Sequence, residues 1–253
     1  MNKNIKIIAH RGASGYAPEN TLASIELAIN MGADMVEIDI RQTFDGVLVC
    51  LHDANLKRTT NGNGLIHTKR YKNIKRLDAG SWFHPNFKNE SIPSLNEVLK
   101  LCKNRCKLLI EVKGDQITQN KLVKNLVYRI QKHQAHSWVI VQSFNPIIIK
   151  EVKKQDRNIE TNQLIYFQYN KLPIFSARLP SIGFSFKRKM HSGVNTDFKK
   201  LTPKLIHNIK KQGKQAFCWT VNEEHEMKQM ITLGVDGIIT NYPDRLKKVL
   251  EHA

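Results

Sequence analysis

The sequence predicts an α/β protein, a (β/α)8 barrel, and three observations point there. Short apolar runs alternate with amphipathic stretches almost to the C-terminus, which is the pattern of parallel strands joined by crossover helices. The length of 253 residues suits one closed barrel. An open doubly wound sheet is the competing closure. Its nucleotide fingerprint, three spaced glycines after the first strand, does not occur here.

The expected strands, in order, are Ile5–His10, Met35–Ile40, Leu108–Val112, Trp138–Ser143, Glu160–Ile165, Ile182–Phe186, Ala216–Val221 and Gly237–Thr240. Helical patterns fill the gaps at Asn20–Met31, Ser94–Cys102, Ile117–His133, Pro146–Gln155, Pro203–Lys211, Glu223–Leu233 and Pro243–Leu250. Several ends are punctuated. Ser94-Leu95-Asn96-Glu97 reads as a capping box, and Gly32, Gly213 and Gly234 fall where helices should stop.

Two regions break the alternation. Val47–His52 is strand-like, yet only a short turn containing Asp45-Gly46 separates it from Met35–Ile40. So short a link cannot carry a parallel crossover, so the two segments should form an antiparallel hairpin. With the turn centred near Phe44-Asp45, Glu37 would pair with about His52. The second irregularity, about residues 54–93, is too long for an ordinary loop and is expected to be a small insertion in a single domain spanning 1–253.

In a barrel the active site lies at the C-terminal ends of the strands. Here those ends read His10-Arg11-Gly12, Glu37-Ile38-Asp39, Glu111-Val112-Lys113, Gln142-Ser143 and Trp219-Thr220. Ionisable groups gather where a stable core alone would not need them. Glu37 and Asp39 sit two apart on one strand, so both face the barrel mouth, roughly 6.6 Å apart along the strand. Glu111 on the next strand adds a third carboxylate. Acids so placed repel one another unless a cation or a shared proton relieves them. Oxygen donors without cysteine suit a hard divalent ion, Mg²⁺ or Ca²⁺, with Mn²⁺ as a further candidate. A structural ion-pair cluster with Lys113 and Arg11 is the alternative.

His52 returns to the carboxylates along the hairpin, and His10 arrives from the first strand, so the two form a candidate acid/base pair. Arg11 offers a bidentate fork and Lys113 a point charge, which together favour a phosphate. The remaining histidines lie in loops or on helices and are assigned no role. The residues therefore describe metal-assisted cleavage of a phosphate ester, without naming the leaving group.

The bulk properties agree. Hydrophobic residues make up 41% of the chain, enough for a sizeable core. The formal charge of +18 is spread over scattered lysines without an aromatic-studded basic cluster, so no nucleic-acid partner is expected. The N-terminal apolar run is too short for a signal segment and no span reaches membrane length, so a cytoplasmic protein is expected. Cys50, Cys102, Cys106 and Cys218 match no zinc pattern and are expected to be buried thiols.

Taken in order, His10-Arg11-Gly12, Pro18-Glu19-Asn20-Thr21, Glu37-Ile38-Asp39, Asp45-Gly46, His52-Asp53 and Arg58-Thr59-Thr60 resemble the signature of glycerophosphodiester phosphodiesterases. Leu77–Trp82, Ile92-Pro93-Ser94-Leu95, Glu111-Val112-Lys113 and Trp219-Thr220-Val221-Asn222 continue it. The ending Gly234–Asn241 is similar too, with Asn241 where Asp is more usual. The resemblance spans nearly the whole chain, apart from about Asn158 to Lys199. It implies a (β/α)8 barrel with a characteristic insertion that hydrolyses small-molecule glycerophosphodiesters, such as glycerophosphocholine or glycerophosphoethanolamine, to glycerol 3-phosphate and an alcohol. It further implies Glu37, Asp39 and Glu111 as metal ligands, His10 and His52 as the acid/base pair, and Arg11 and Lys113 as phosphate contacts. Two alternatives stand beside this. One is a lysophospholipase-D-like enzyme with Trp82, Phe83, Phe87 and the pocket-lining candidate Trp219 along an acyl groove. The other is a non-catalytic binder of phosphorylated ligands.

Overall fold

A computed structural model describes residues 5–113, 119–165 and 191–252. Eight parallel strands close into a barrel: β1 (Lys6–His10), β2 (Met35–Gln42), β4 (Lys107–Val112), β5 (Val139–Ser143), β6 (Glu160–Ile165), β7 (Gly193–Asp197), β8 (Gln215–Trp219) and β9 (Gly237–Thr240). β1 pairs with both β2 and β9, which closes the ring. The short strand β3 (Leu48–Cys50) hangs antiparallel on β2.

Each barrel strand alternates between two environments. One set of side chains, including Val36, Ile38, Ile110, Val141 and Ile238, packs outward against the helices. The other set fills the barrel axis, where Ile8, Met35, Leu109, Ile140, Phe217 and Ile239 form an apolar floor. Fully burying such a side chain contributes about 1.5–3 kcal/mol each. Two residues further along the same strands the axis-facing residue changes character: Ile8 gives way to His10, Met35 to Glu37, Leu109 to Glu111, Ile140 to Gln142 and Phe217 to Trp219. The period of two thus places a polar layer directly on a sealed floor. Gly237 keeps that floor packed, since a Cβ there would come within 2.9 Å of the Phe217 ring and 3.0 Å of Ile8.

Helices α1 (Leu22–Asn30), α3 (Leu95–Cys102), α4 (Gln119–Lys132), α5 (Pro146–Gln155), α6 (Pro203–Lys210), α7 (Glu224–Leu233) and α8 (Pro243–Glu251) surround the strands; the short α2 (Tyr71–Ile74) belongs to the segment after β3. Thr21 caps α1 and Ser94 with Glu97 forms the expected capping box of α3. Among the described residues no helix is long and apolar enough to cross a membrane. The four cysteines are free, with Cys106 only half-buried.

Two expectations need correction. The barrel position between β6 and β8 is taken by Gly193–Asp197, and the expected strand Ile182–Phe186 lies outside the described residues. Gly-Val-Asn-Thr-Asp has one large apolar side chain, so its hydrophobic pattern is too weak to announce a strand. The hairpin register also differs. Ile40 pairs with Cys50 and Gln42 with Leu48, one residue off the expected register, which brings Leu51 opposite Asp39, with Leu51 N donating to Asp39 O at 3.0 Å, and sets Asp53 rather than His52 level with Glu37. The turn runs from Thr43 to Gly46, whose φ of +83° suits a glycine. His52 therefore follows the end of the ladder, and Arg41 Nε holds its carbonyl at 2.8 Å.

The segment from about 54 to 93 folds on a small core of its own. Leu56, Ile66, Ile74, Ala79 and Ile92 pack with Val49 and Leu51 of the hairpin.

Candidate active site

The polar layer surrounds a cavity of about 300 Å³ at the C-terminal end of the strands, lined by His10, Arg11, Glu37, His52, Glu111 and Lys113 with Gln142, Phe144, Leu164, Trp219, Thr220 and Ile239. Asp39, 1% exposed, lies beneath Arg11 and Lys113. The structure thus brings all eight candidate residues together.

The carboxylates come first. Glu37, Asp39 and Glu111 each offer an oxygen within 4.8 Å of the others, and all three are buried. Burial, reinforced by Asp39 and Glu111, pushes the Glu37 carboxyl well above its ordinary value. Burial likewise raises Glu111 to about 7 despite its ion pair with Lys113. Asp39 behaves oppositely. Burial would raise it, but Lys113 at 3.1 Å and Arg11 Nε at 3.0 Å hold it well below the usual carboxylate range. Three acids this close stay ionised together only if positive charge joins them. Their hard oxygen donors fit a divalent cation without further rearrangement of ligand type.

The scaffold around them is specific. Asn20 Nδ2 donates to Asp39 Oδ2 and Asn20 Oδ1 accepts from Asp39 N, both at 3.0 Å. Glu37 accepts from Arg11 N at 3.1 Å and from Gln142 Nε2 at 3.3 Å. Asn195 Nδ2 donates onward to Gln142 Oε1 at 2.6 Å, so a buried amide chain aims the Glu37 carboxylate. Arg11 adopts a left-handed φ of 56°, a strain of about 1–3 kcal/mol, with Asn20 N and Ser24 Oγ donating to its carbonyl. Gly12 follows at φ +82°, and a Cβ there would lie 2.5 Å from Ser24.

The two histidines are each fixed by one ring nitrogen. His10 Nδ1 donates to Asn241 Oδ1 at 2.7 Å, and His52 Nδ1 to Asp53 Oδ1 at 2.6 Å. In both rings Nε2 is left for chemistry. Burial, with Arg11 second, lowers His10 to about 4. Burial also lowers His52, against opposing help from Asp39 and Asp53.

Phe144 meets Trp219 edge-to-face at 5.7 Å and gives the cavity one apolar wall. Trp82, Phe83 and Phe87 do not join it. They stack on each other at 5.8 and 5.7 Å, with Trp82 Nε1 donating to Ala79 O. Sequence reasoning assigned no role to Glu19, Asn20, Asp53, Arg58, Gln142 or Asn241. All but Gln142 lie in motifs that carry the family resemblance, and Gln142 stands at a strand end.

Residues 10–245 match the family described as glycerophosphoryl diester phosphodiesterase. A glycerophosphodiester phosphodiesterase of Caldanaerobacter subterraneus subsp. tengcongensis is 35% identical over 95% of each chain. One of Bacillus subtilis is 36% identical, covering 97% of this chain and 86% of the relative. Among solved structures, an Oleispira antarctica phosphodiesterase in complex with the product sn-glycerol-3-phosphate superposes with a TM-score of 0.88, at 28% identity and 96% coverage of both chains. On its barrel, its cavity and this similarity, the chain belongs to the glycerophosphoryl diester phosphodiesterase family and is one of its enzymes.

Proposed function

We propose that the chain hydrolyses small-molecule glycerophosphodiesters, such as glycerophosphocholine or glycerophosphoethanolamine, to glycerol 3-phosphate and an alcohol, with His10 and His52 as the acid/base pair. One observation carries this reading: two histidines, each with Nδ1 occupied, share a cavity with Glu37, Glu111, a guanidinium and an ammonium, with the third acid, Asp39, directly beneath. A divalent cation, Mg²⁺ or Ca²⁺ with Mn²⁺ as a further candidate, held by Glu37, Asp39 and Glu111, would polarise a non-bridging phosphoryl oxygen. Arg11 and Lys113 bind and orient the phosphate.

The environments of the rings divide the work. His10 faces a neutral amide and sits low in pKa, so at neutral pH its Nε2 accepts the proton of the attacking hydroxyl. His52 has a carboxylate behind it, which works against the burial that lowers its pKa and offers its protonated form the support His10 lacks, so it is assigned the protonation of the departing alkoxide. The new P–O bond forms as the old ester P–O bond breaks, and water supplies the hydroxyl and proton overall. Among the described residues the cavity of about 300 Å³ suits a small diester better than an acyl chain, and Trp82, Phe83 and Phe87 stack apart from it. The chain is read as one barrel domain, 1–253, with 54–93 as its insertion, acting in the cytoplasm.

The test is a panel of glycerophosphodiesters assayed after chelation and after readdition of Mg²⁺, Ca²⁺ or Mn²⁺ separately. Activity that chelation abolishes and one of these ions restores is the expected result. Activity indifferent to chelation removes the metal from the scheme, and no activity on any diester removes the reaction.

A further inference from the structure

The scheme above does not use Arg58, a charged side chain at the rim. Arg58 ends the 3-10 turn Leu56–Arg58, and Leu56 of that turn is buried in the core of segment 54–93. Its guanidinium faces two carboxylates at once. Nε donates to Asp53 Oδ2 at 2.6 Å, while Nη1 and Nη2 donate to Glu19 Oε2 and Oε1, each at 2.8 Å. Asp53 Oδ1 in turn accepts from His52 Nδ1 at 2.6 Å. Glu19 Oε1 also accepts from Arg11 Nη1 at 2.9 Å, and Arg11 Nε stands 3.0 Å from Asp39 Oδ2.

We infer that Arg58 is a positioning residue that fixes two parts of the site together: the His52 ring through Asp53 and the Arg11 fork through Glu19. The inference rests on the roles read above for His52 and Arg11. A stability role explains the arrangement poorly. The Arg58 side chain is 43% exposed, and exposed ion pairs contribute about 0–1 kcal/mol. Geometry explains it better. Three donors of one planar group point in two directions, which a lysine cannot reproduce. Without Arg58, Asp53 loses the bond opposite His52 and can rotate about its side chain. Among the described residues Glu19 then keeps only Arg11 and can follow it toward solvent. The insertion therefore does more than cover hydrophobic surface: its folded core delivers the group that braces both halves of the site.

The experiment compares the full chain with Arg58→Ala, Arg58→Lys, Asp53→Asn and Glu19→Gln. It reads kcat and KM on glycerophosphocholine, binding of inorganic phosphate by calorimetry, and thermal midpoint. Asp53→Asn is expected to lower kcat roughly ten- to a hundredfold, with KM and phosphate affinity within about twofold, because Asp53 touches the His52 ring and Arg58 but neither Glu19 nor Arg11. Glu19→Gln is expected to raise KM and weaken phosphate binding several-fold, with the smaller effect on kcat. Arg58→Ala should combine both losses, and Arg58→Lys should recover part of each. Arg58→Ala within about twofold of the unaltered chain in kcat and phosphate affinity overturns the inference. So does a loss that appears equally in all four variants and tracks the thermal midpoint. If Arg58→Ala does not fold, the opposite kcat and KM signatures of Asp53→Asn and Glu19→Gln decide. If the unaltered chain hydrolyses no glycerophosphodiester, the reading of the site fails separately, and phosphate calorimetry still decides the Arg58–Glu19–Arg11 branch.

Discussion

At the scale of single residues, the two proposed catalytic histidines differ in what stands behind them. Asn241 can hold the His10 ring but offers it no charge, whereas Asp53 can both hold His52 and stabilise its protonated form. Replacing either ring by alanine is expected to reduce kcat roughly 10²- to 10⁴-fold, the usual worth of a positioned proton donor or acceptor. Neither ring belongs to the apolar floor, so thermal midpoints should move little. Steady-state kinetics beside a melting curve checks this, and near-normal turnover in one variant would restrict the acid/base scheme to the other. Most of the candidate site is legible in the sequence, because ionisable residues at strand ends stand out against the apolar runs below them. The supporting residues are harder to read. Glu19, Asn20 and Arg58 come from loops and reach their partners across 8 to 39 positions of chain, distances that no local period reports.

At the scale of elements, signal strength follows apolar content. β1, β2, β4 and β9 announce themselves because both faces are buried, one in the floor and one under the helices. β7 does not, since Asn195 and Thr196 replace the expected apolar residues; Asn195 accepts from Asn162 and donates to Gln142 in the amide chain that ends on Glu37. The hairpin is legible as a topology, but its register turned on one residue of the turn. The capping box of α3 is the clearest local feature, and it also joins barrel to insertion. Glu97 accepts from Ser94 N at 2.8 Å, from Tyr71 Oη at 2.9 Å and from Lys75 Nζ at 2.7 Å. Burial alone would raise its carboxyl, but Lys75 and Ser94 overcome that and bring it from 4.5 down to about 2. A carboxyl depressed in the folded state stabilises above its unfolded pKa, and that contribution is lost as pH falls through the folded value. Glu97→Gln should therefore be less stable than the unaltered chain at pH 7, with the gap narrowing between about pH 4.5 and 2. Urea unfolding at several pH values measures it, and a gap independent of pH would mean that the Glu97 charge contributes nothing.

At the scale of the whole molecule, the barrel concentrates its electrostatic cost in one place. The formal charge is +18, yet among the described residues the three most buried carboxyl or basic side chains are acids, stacked on an apolar floor. Arg11 and Lys113 pair with Asp39, and Lys113 reaches Glu111, but burial still leaves Glu37 and Glu111 raised. A cation that binds the folded trio and finds no such cluster in the unfolded chain must stabilise the fold by mass action. At a hundredfold excess over its dissociation constant that amounts to about 2.7 kcal/mol. For a chain of this size such an increment corresponds to a rise in melting temperature of roughly 5–10 °C. Melting curves recorded in chelator and then in each of Mg²⁺, Ca²⁺ and Mn²⁺ should therefore separate, with the ion that restores turnover giving the largest rise. Glu37→Gln and Glu111→Gln should lose that rise and, with fewer buried charges to reconcile, melt no lower than the unaltered chain in chelator. If none of the three ions moves the midpoint, the carboxylates are a structural ion-pair cluster with Arg11 and Lys113, and the hydrolysis proposed above has to proceed on those two cations alone.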